Sequence, residues 1–417
     1  MASFKIKNII LLFLAFCRWF VVSKIFQPIL FLIFGRPPRH SDTPIECIQS
    51  YDIVADNRPF YSFKYDVQNF LLKFHSLKDV TYIDREDVHL YSVTEEEFVF
   101  VRTKSGIDIF NVEKYPFAYD IEHASAEEFL TAPHNTIFQY LSNKSVTDGR
   151  NIAHLHHFGR SGSTLVAAMM YKTQQCVVQS ECTSIRDLAL LMNGKDYSPS
   201  RESVEFLDII RATILLSCPD PNKLYFIKPF GGHTLSLLPL LHQALPGIKE
   251  FYIYRSMRPV ILSFKKMFQN YILQNIANAS ISMLPVNYRT IWNKIKCGNG
   301  EEALMFWVLC HIHAYIKETR DRKDIKPISY EYLMENKEAF TLELLRDVGI
   351  GEEYLEDALS ALKRDAHEGH GFSNKALSKG KEMIISTDVM NWAKRIAREE
   401  FEIELDGEEG RITNICS

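Results

Sequence analysis

An eleven-residue segment, His154-Leu155-His156-His157-Phe158-Gly159-Arg160-Ser161-Gly162-Ser163-Thr164, constrains the fold more than any other part of this chain. An apolar-alternating run from Ile152 to Phe158 breaks into a small, polar, glycine-containing turn. The helix-compatible stretch Leu165-Val166-Ala167-Ala168-Met169-Met170 follows. A strand, a tight loop and a helix N-terminus in that order form an anion cradle, because backbone N–H groups and the positive end of the helix dipole point into the loop. Arg160 adds a fixed charge, Gly162 lets the turn close, and Ser161, Ser163 and Thr164 add hydroxyl donors. A nucleotide phosphate is the ligand such a loop suits. A Walker A loop would need a lysine where Ser163 stands and a glycine where His157 stands. The loop therefore suits a terminal 5′-phosphate better than a metal-chelated triphosphate. An ordinary Gly/Ser turn is the plain alternative.

A second segment points the same way. Phe251-Tyr252-Ile253-Tyr254 reads as a short buried strand ending at Arg255-Ser256-Met257-Arg258-Pro259, and a helix starts across Val260 to Lys266. Proline fits a first helical turn, where its missing N–H would be unpaired anyway. Arg255 and Ser263 are thereby expected near one point, suited to clamping a second phosphate.

On these residues the chain resembles the sulfotransferase family. Phe158 to Leu165 is similar to the family's 5′-phosphosulfate loop. Tyr254 to Ser263 is similar to its 3′-phosphate motif, an arginine followed eight residues later by a serine. Ser256 and Met257 depart from that motif, which often has an acidic residue and a proline there. Ile328-Ser329-Tyr330-Glu331-Tyr332-Leu333-Met334-Glu335-Asn336 resembles a late tyrosine-glutamate segment. The resemblance spans about Asn151 to Arg398 and is nearest in motif style to membrane-associated carbohydrate and protein-tyrosine sulfotransferases. It implies 3′-phosphoadenosine 5′-phosphosulfate (PAPS) as co-substrate, no metal, and transfer of a sulfuryl group to an acceptor hydroxyl. Arg160, Ser161, Gly162, Ser163, Thr164, Arg255 and Ser263 are the expected nucleotide ligands.

Two residues compete as the catalytic base. Glu181 follows the strand-like Cys176–Gln179 and opens a helical segment, Thr183 to Met192. That places it at the carboxyl end of a strand, where open α/β sheets bind ligands. Its position is similar to that of the catalytic glutamate of protein-tyrosine sulfotransferases. His233 follows the strand-like Leu224–Lys228 and the bend Pro229-Phe230-Gly231-Gly232, and matches the histidine of cytosolic sulfotransferases only with a shift. Lys228 is the candidate stabiliser of the leaving oxygen. The basic run from Lys375 to Lys381 reads as a solvated segment or as a loop closing over the nucleotide. His154, His156 and His157 lack cysteine or carboxylate partners at ligand spacing, which argues against a metal. His311 and His313 lie in an apolar helix, Glu301 to Thr319, and read as core residues.

The expected fold is α/β: a P-loop-type three-layer core over residues 151–400, with strands near Ile152–Phe158, Val177–Gln179, Leu224–Lys228, Phe251–Tyr254 and Pro327–Ser329. An N-terminal α+β extension over 41–150 and a tail over 401–417 flank it. In the extension, Glu97–Arg102 and Ile107–Asn111 alternate as strands do, with a hairpin turn at Lys104-Ser105-Gly106. A role for the extension in shaping the acceptor cleft is the accompanying guess. Residues 1–40 form an apolar anchor candidate and a proline-rich linker. Arg18, Lys24 and Pro28 interrupt the apolar stretch from Ile9 to Phe34. A signal-anchor in a Golgi-type membrane, an interfacial helix and a buried helix pair all remain open, as does a cytoplasmic location.

The sequons Asn143-Lys144-Ser145 and Asn278-Ala279-Ser280 would suit a lumenal glycoprotein. Eight scattered cysteines permit disulfides but show no zinc or redox spacing. A net charge of −4, without an extended basic patch, gives no sign of nucleic-acid binding. A P-loop-like phosphotransferase and a membrane-associated nucleotide-binding protein without turnover are the alternative functions. Carbohydrate, tyrosine, lipid and small alcohol all remain open as acceptors.

Overall fold

The computed structural model describes residues 26–29, 37–56, 70–144, 151–192, 201–231, 235, 237–267, 281, 284–295, 299–363 and 383–413. Apolar alternation in the N-terminal part builds an antiparallel sheet of β1 (Cys47–Asp56), β2 (Phe70–Asp79), β3 (Val88–Val93), β4 (Glu97–Thr103) and β5 (Ala126–Pro133), ordered β2-β1-β5-β4-β3. β4 is the strand expected at Glu97–Arg102. Its expected partner at Ile107–Asn111 does not form: this stretch is turn, and β4 pairs with β3 and β5 instead. The mixed polarity of Asp108 and Asn111 favours local turn bonds, and Asp108 accepts from the Phe110 N–H at 2.9 Å.

From Asn151 onward the chain alternates strand and helix, the pattern of a parallel sheet covered on both faces. β6 (Ile152–His157), β7 (Cys176–Ser180), β8 (Leu224–Lys228), β9 (Lys249–Tyr254) and β10 (Lys326–Ser329) lie in the order β10-β9-β6-β8-β7, every pair parallel. All five fall where the sequence places them. The fold class is therefore the expected one: α/β, with a helix-flanked parallel sheet and an additional N-terminal sheet. One face packs Leu155, Phe226 and Phe251 against Val166, Met169 and Met170 of the helix Ser163–Lys172. On the other face, Phe158 and Tyr252 meet the helices Met257–Met267 and Gly300–Asp321.

The antiparallel sheet shares this core. Leu90, Phe98, Phe100 and Leu130 join Ile185, Leu188, Tyr225 and Ile227 in one apolar cluster. The Ser92 hydroxyl donates to Asp187 across the junction at 2.6 Å. The C-terminal residues also pack inward: β11 (Leu405–Asp406) and β12 (Arg411–Ile412) form a two-stranded hairpin. Its Glu409 and Gly410 carbonyls accept from Arg258 and Met257 N–H at 3.0 and 3.2 Å. These bonds occupy donors at the start of the Met257–Met267 helix.

Most of the apolar stretch Ile9–Phe34 lies outside the described residues. Within it, the Gln27 amide bonds both ways to the Leu72 backbone on β2, each bond 2.7 Å. Among the described residues no helix is long and apolar enough to cross a membrane. Cys47, Cys176, Cys182, Cys218 and Cys310 form no disulfide with one another.

Candidate active site

Each strand of the parallel sheet delivers site residues at its carboxyl end, where an open α/β sheet forms its crevice beside the point of strand-order reversal. β6 runs into the Gly159–Thr164 loop, β7 into Glu181, β8 ends on Lys228, β9 runs into Arg255, and β10 into Tyr330.

The loop after β6 turns through left-handed backbone at Gly159 (φ 73°), Arg160 (φ 57°) and Gly162 (φ 101°). Glycine takes this conformation freely, whereas arginine is strained in it by about 1–3 kcal/mol. The strain at Arg160 is offset by what it reaches. Its Nε donates to the Ser263 hydroxyl at 2.7 Å, joining segments 103 residues apart. Arg255 Nη1 donates to the Arg160 carbonyl at 3.5 Å, so the second motif also closes on the first loop. Arg255 and Ser263 thus both bond to Arg160, one at its carbonyl and the other at its guanidinium. Ser161, Ser163 and Thr164 are buried in the cradle. Among the described residues the Ser161 hydroxyl has no partner, and neither does Arg255 Nε. Orphaned buried donors of this kind call for a ligand or ordered water, and they suit an anion.

Tyr330 and Glu331 organise the second motif. The Arg255 guanidinium lies 4.3 Å from the Tyr330 ring centroid, a cation–π stack. The same ring closes over Gly162, where a Cβ would stand 2.7 Å from its Cε2 and closer still to its Cδ2. Glu331 accepts the Ser256 N–H at 2.9 Å. That bond fixes the turn in which Ser256 and Met257 depart from the family pattern. The sequence flagged this tyrosine-glutamate segment without giving either residue a role.

Glu181 and Lys228 form an ion pair at the ends of β7 and β8, and the Glu181 N–H donates to the Lys228 carbonyl at 2.7 Å. Glu181 also adopts a left-handed φ of 57°. Its side chain keeps 11 % exposure while that of Lys228 has none, so the carboxylate is the more accessible member of the pair. Burial is the largest influence on both groups. It raises Glu181 above the ordinary carboxylate value, against the pull of Lys228, and Asp120 adds to the rise. It lowers Lys228 from the ordinary ammonium value, against the pull of Glu181.

The N-terminal sheet's connections reach this pair. The Phe117 ring lies 5.3 Å from Lys228 Nζ, and the Ser180 hydroxyl donates to the Pro116 carbonyl at 2.6 Å. Buried Glu122 accepts from the Thr183 hydroxyl at 3.2 Å, two residues beyond Glu181. No local motif in 116–122 signals this, because the contacts are made across about sixty residues.

His233 and the basic run Lys375–Lys381 lie outside the described residues. His154 and His156 face each other along one strand, rings 4.4 Å apart, and His156 Nε2 pairs with buried Glu250 at 2.9 Å. Among the described residues, one His/acid group is close-set enough for a metal: His242, Glu250 and Asp324. The Arg322 guanidinium is bonded to both carboxylates there, a charge that opposes a cation.

No protein-family model matches this chain, and no curated protein is significantly similar to it. Among solved structures it is similar to the sulfotransferase domain from the curacin biosynthetic pathway, with 14 % identity and a TM-score of 0.34 over 59 % of this chain and 96 % of that one. It is also similar to the sulfotransferase domain from the Synechococcus PCC 7002 olefin synthase, with 13 % identity and a TM-score of 0.33 over 59 % and 94 % of the two chains.

Proposed function

We propose that this chain is a sulfotransferase that takes its sulfuryl group from PAPS and gives it to an acceptor hydroxyl. The observation that carries the reading is the junction of the two anion-binding turns through Arg160, bonded to Ser263 and carrying Arg255 on its carbonyl. One small ligand with a phosphate at each end would span such a junction. In this reading Ser161, Ser163, Thr164 and the loop N–H groups hold the 5′-phosphosulfate end. Arg255 and Ser263 hold the 3′-phosphate.

Glu181 takes the acceptor proton as the acceptor oxygen bonds to sulfur. The bond from sulfur to the bridging oxygen breaks in line with that attack, and the electron pair stays on the leaving nucleotide. Lys228 and Arg160 stabilise the charge growing on that oxygen, a role preorganised positive groups fill without a metal. The ion pair gives Glu181 a resting partner, and an acceptor hydroxyl replaces Lys228 as its neighbour. Membrane attachment through residues 9–34, with a Golgi lumen as the compartment, is a separate part of the proposal. Flotation of the full chain with lipid vesicles tests it.

Calorimetry with 3′-phosphoadenosine 5′-phosphate in the absence of magnesium tests the nucleotide assignment. Tight magnesium-independent binding is the expected result, and magnesium-dependent ATP binding in its place would establish the phosphotransferase alternative. An acceptor screen with radiolabelled donor then identifies the hydroxyl.

A further inference from the structure

His157, the last residue of β6, is fully buried near the start of the Ser163–Lys172 helix, and its ring bonds to three site segments. Nε2 meets the Pro229 carbonyl at 2.7 Å. Nδ1 accepts the Gly159 N–H at 3.0 Å and lies 3.2 Å from the Ser163 hydroxyl. A carbonyl can only accept and a backbone N–H can only donate, so these partners dictate a neutral ring with its proton on Nε2. The ring thus bolts the anion-binding loop to the residue that follows Lys228.

The joint has no slack. A Cβ on Gly231 would lie 2.9 Å from His157 Cε1 and 2.7 Å from the Gly159 nitrogen, so the 229–231 turn rests directly on the ring and the loop. Burial pushes the His157 pKa down to about 3, and the nearby Lys228 charge pushes the same way, so the ring stays neutral at physiological pH.

We propose that His157 is a positioning residue whose two-sided hydrogen bonding sets the separation between the phosphate cradle and the Glu181–Lys228 pair. The inference rests on the sulfotransfer reading. It adds a residue at the position where the Walker pattern would have its first glycine. In-line transfer depends on that separation, because reacting atoms must be held within a fraction of an ångström of the attack geometry.

The two halves of the ring's role can be tested apart. His157→Asn keeps a short amide oxygen for the Gly159 N–H but cannot reach Pro229. His157→Gln reaches Pro229 as a donor but leaves Gly159 and Ser163 without their acceptor. The asparagine variant is expected to bind 3′-phosphoadenosine 5′-phosphate within about threefold of wild type while kcat falls roughly tenfold or more, the loss expected of misplaced reacting groups. The glutamine variant is expected to lose about tenfold or more in nucleotide affinity, as when a buried donor is left unpaired.

Ring ¹⁵N spectra of the ligand-free chain, assigned by the signal lost in each variant, should show a neutral Nε2–H histidine. A charged ring or an Nδ1–H tautomer overturns the inference whether or not nucleotide binds. Variants that match wild type, or that lose binding, turnover and thermal stability in parallel, overturn it as well. A wild-type chain that does not bind the nucleotide instead sinks the sulfotransfer reading, a distinct outcome.

Discussion

Replacing Gly162 by alanine separates backbone strain from a steric clash at the centre of the site. Gly162 sits at φ 101°, and its Cα faces the Tyr330 ring with no room for a methyl group. An L-residue in left-handed backbone costs about 1–2 kcal/mol. Forcing a methyl group into a packed contact adds roughly 1–3 kcal/mol. Gly162→Ala should therefore cost about 2–5 kcal/mol in urea unfolding.

Gly106 is the internal control. It has a similar φ of 78° with nothing within 4 Å of an added Cβ, so Gly106→Ala should show the strain alone, about 1–2 kcal/mol. The excess at Gly162 should also appear in binding. Displacing the Tyr330 ring disturbs its stack on Arg255, so affinity for 3′-phosphoadenosine 5′-phosphate should fall while Gly106→Ala leaves it unchanged. In a Tyr330→Ala background the clash has no partner, and the two Gly→Ala costs should converge. Equal costs for the two glycines in the wild-type background, with unchanged nucleotide affinity, would refute the packing argument.

Other outcomes follow from single groups. Glu181→Gln should cut turnover by about 10²–10⁴ with nucleotide affinity little changed, as removal of a general base does. The wild-type rate should fall as pH drops through the raised pKa of Glu181, because only the ionised carboxylate accepts a proton. An acid limb that persists in Glu181→Gln would assign the base elsewhere, with His233 next. Ser161→Ala should leave stability unchanged, since the buried hydroxyl has no partner among the described residues to lose. It should weaken nucleotide binding by roughly tenfold, the value of one hydrogen bond to a charged group.

Glu122 has its pKa raised by burial from 4.5 to about 7, so the folded chain holds a proton that the unfolded chain has released between those values. Its stabilising contribution is complete below pH 4.5 and is lost as pH rises through about 7, a change of about 3 kcal/mol. Urea midpoints of wild type and Glu122→Gln at pH 5 and pH 8 would show this, the variant lacking that part of the pH dependence.

Residues whose positions follow from their sequence neighbours were readable from the sequence. The Gly/Ser turn between Phe158 and Leu165, the Arg255–Ser263 spacing and Glu181 at a strand end all stand where periodicity and turn chemistry place them. The contacts of Tyr330, Glu331, His157 and Phe117 could not be read that way. The partner of each lies far along the chain: Ser256 for Glu331, Gly162 and Arg255 for Tyr330, Pro229 for His157, Lys228 for Phe117. The misplaced strand at Ile107–Asn111 fails for a related reason. Short alternation permits a strand, but a strand also needs an edge to pair with, and β3 and β5 already occupy both edges of β4.

By itself the sequence determined the local vocabulary of this protein. Backbone sterics made Gly159 and Gly162 a turn, side-chain period made β6 to β10 strands, and residue type supplied the turns with hydroxyl and guanidinium donors. Only the tertiary structure decided that β6 lies between β8 and β9 and that β7 pairs with β8, and hence that Arg160 meets Ser263 and Lys228 meets Glu181. Strand order is chosen by how whole apolar faces pack against one another. That long-range sum leaves no mark on the few residues that benefit from it.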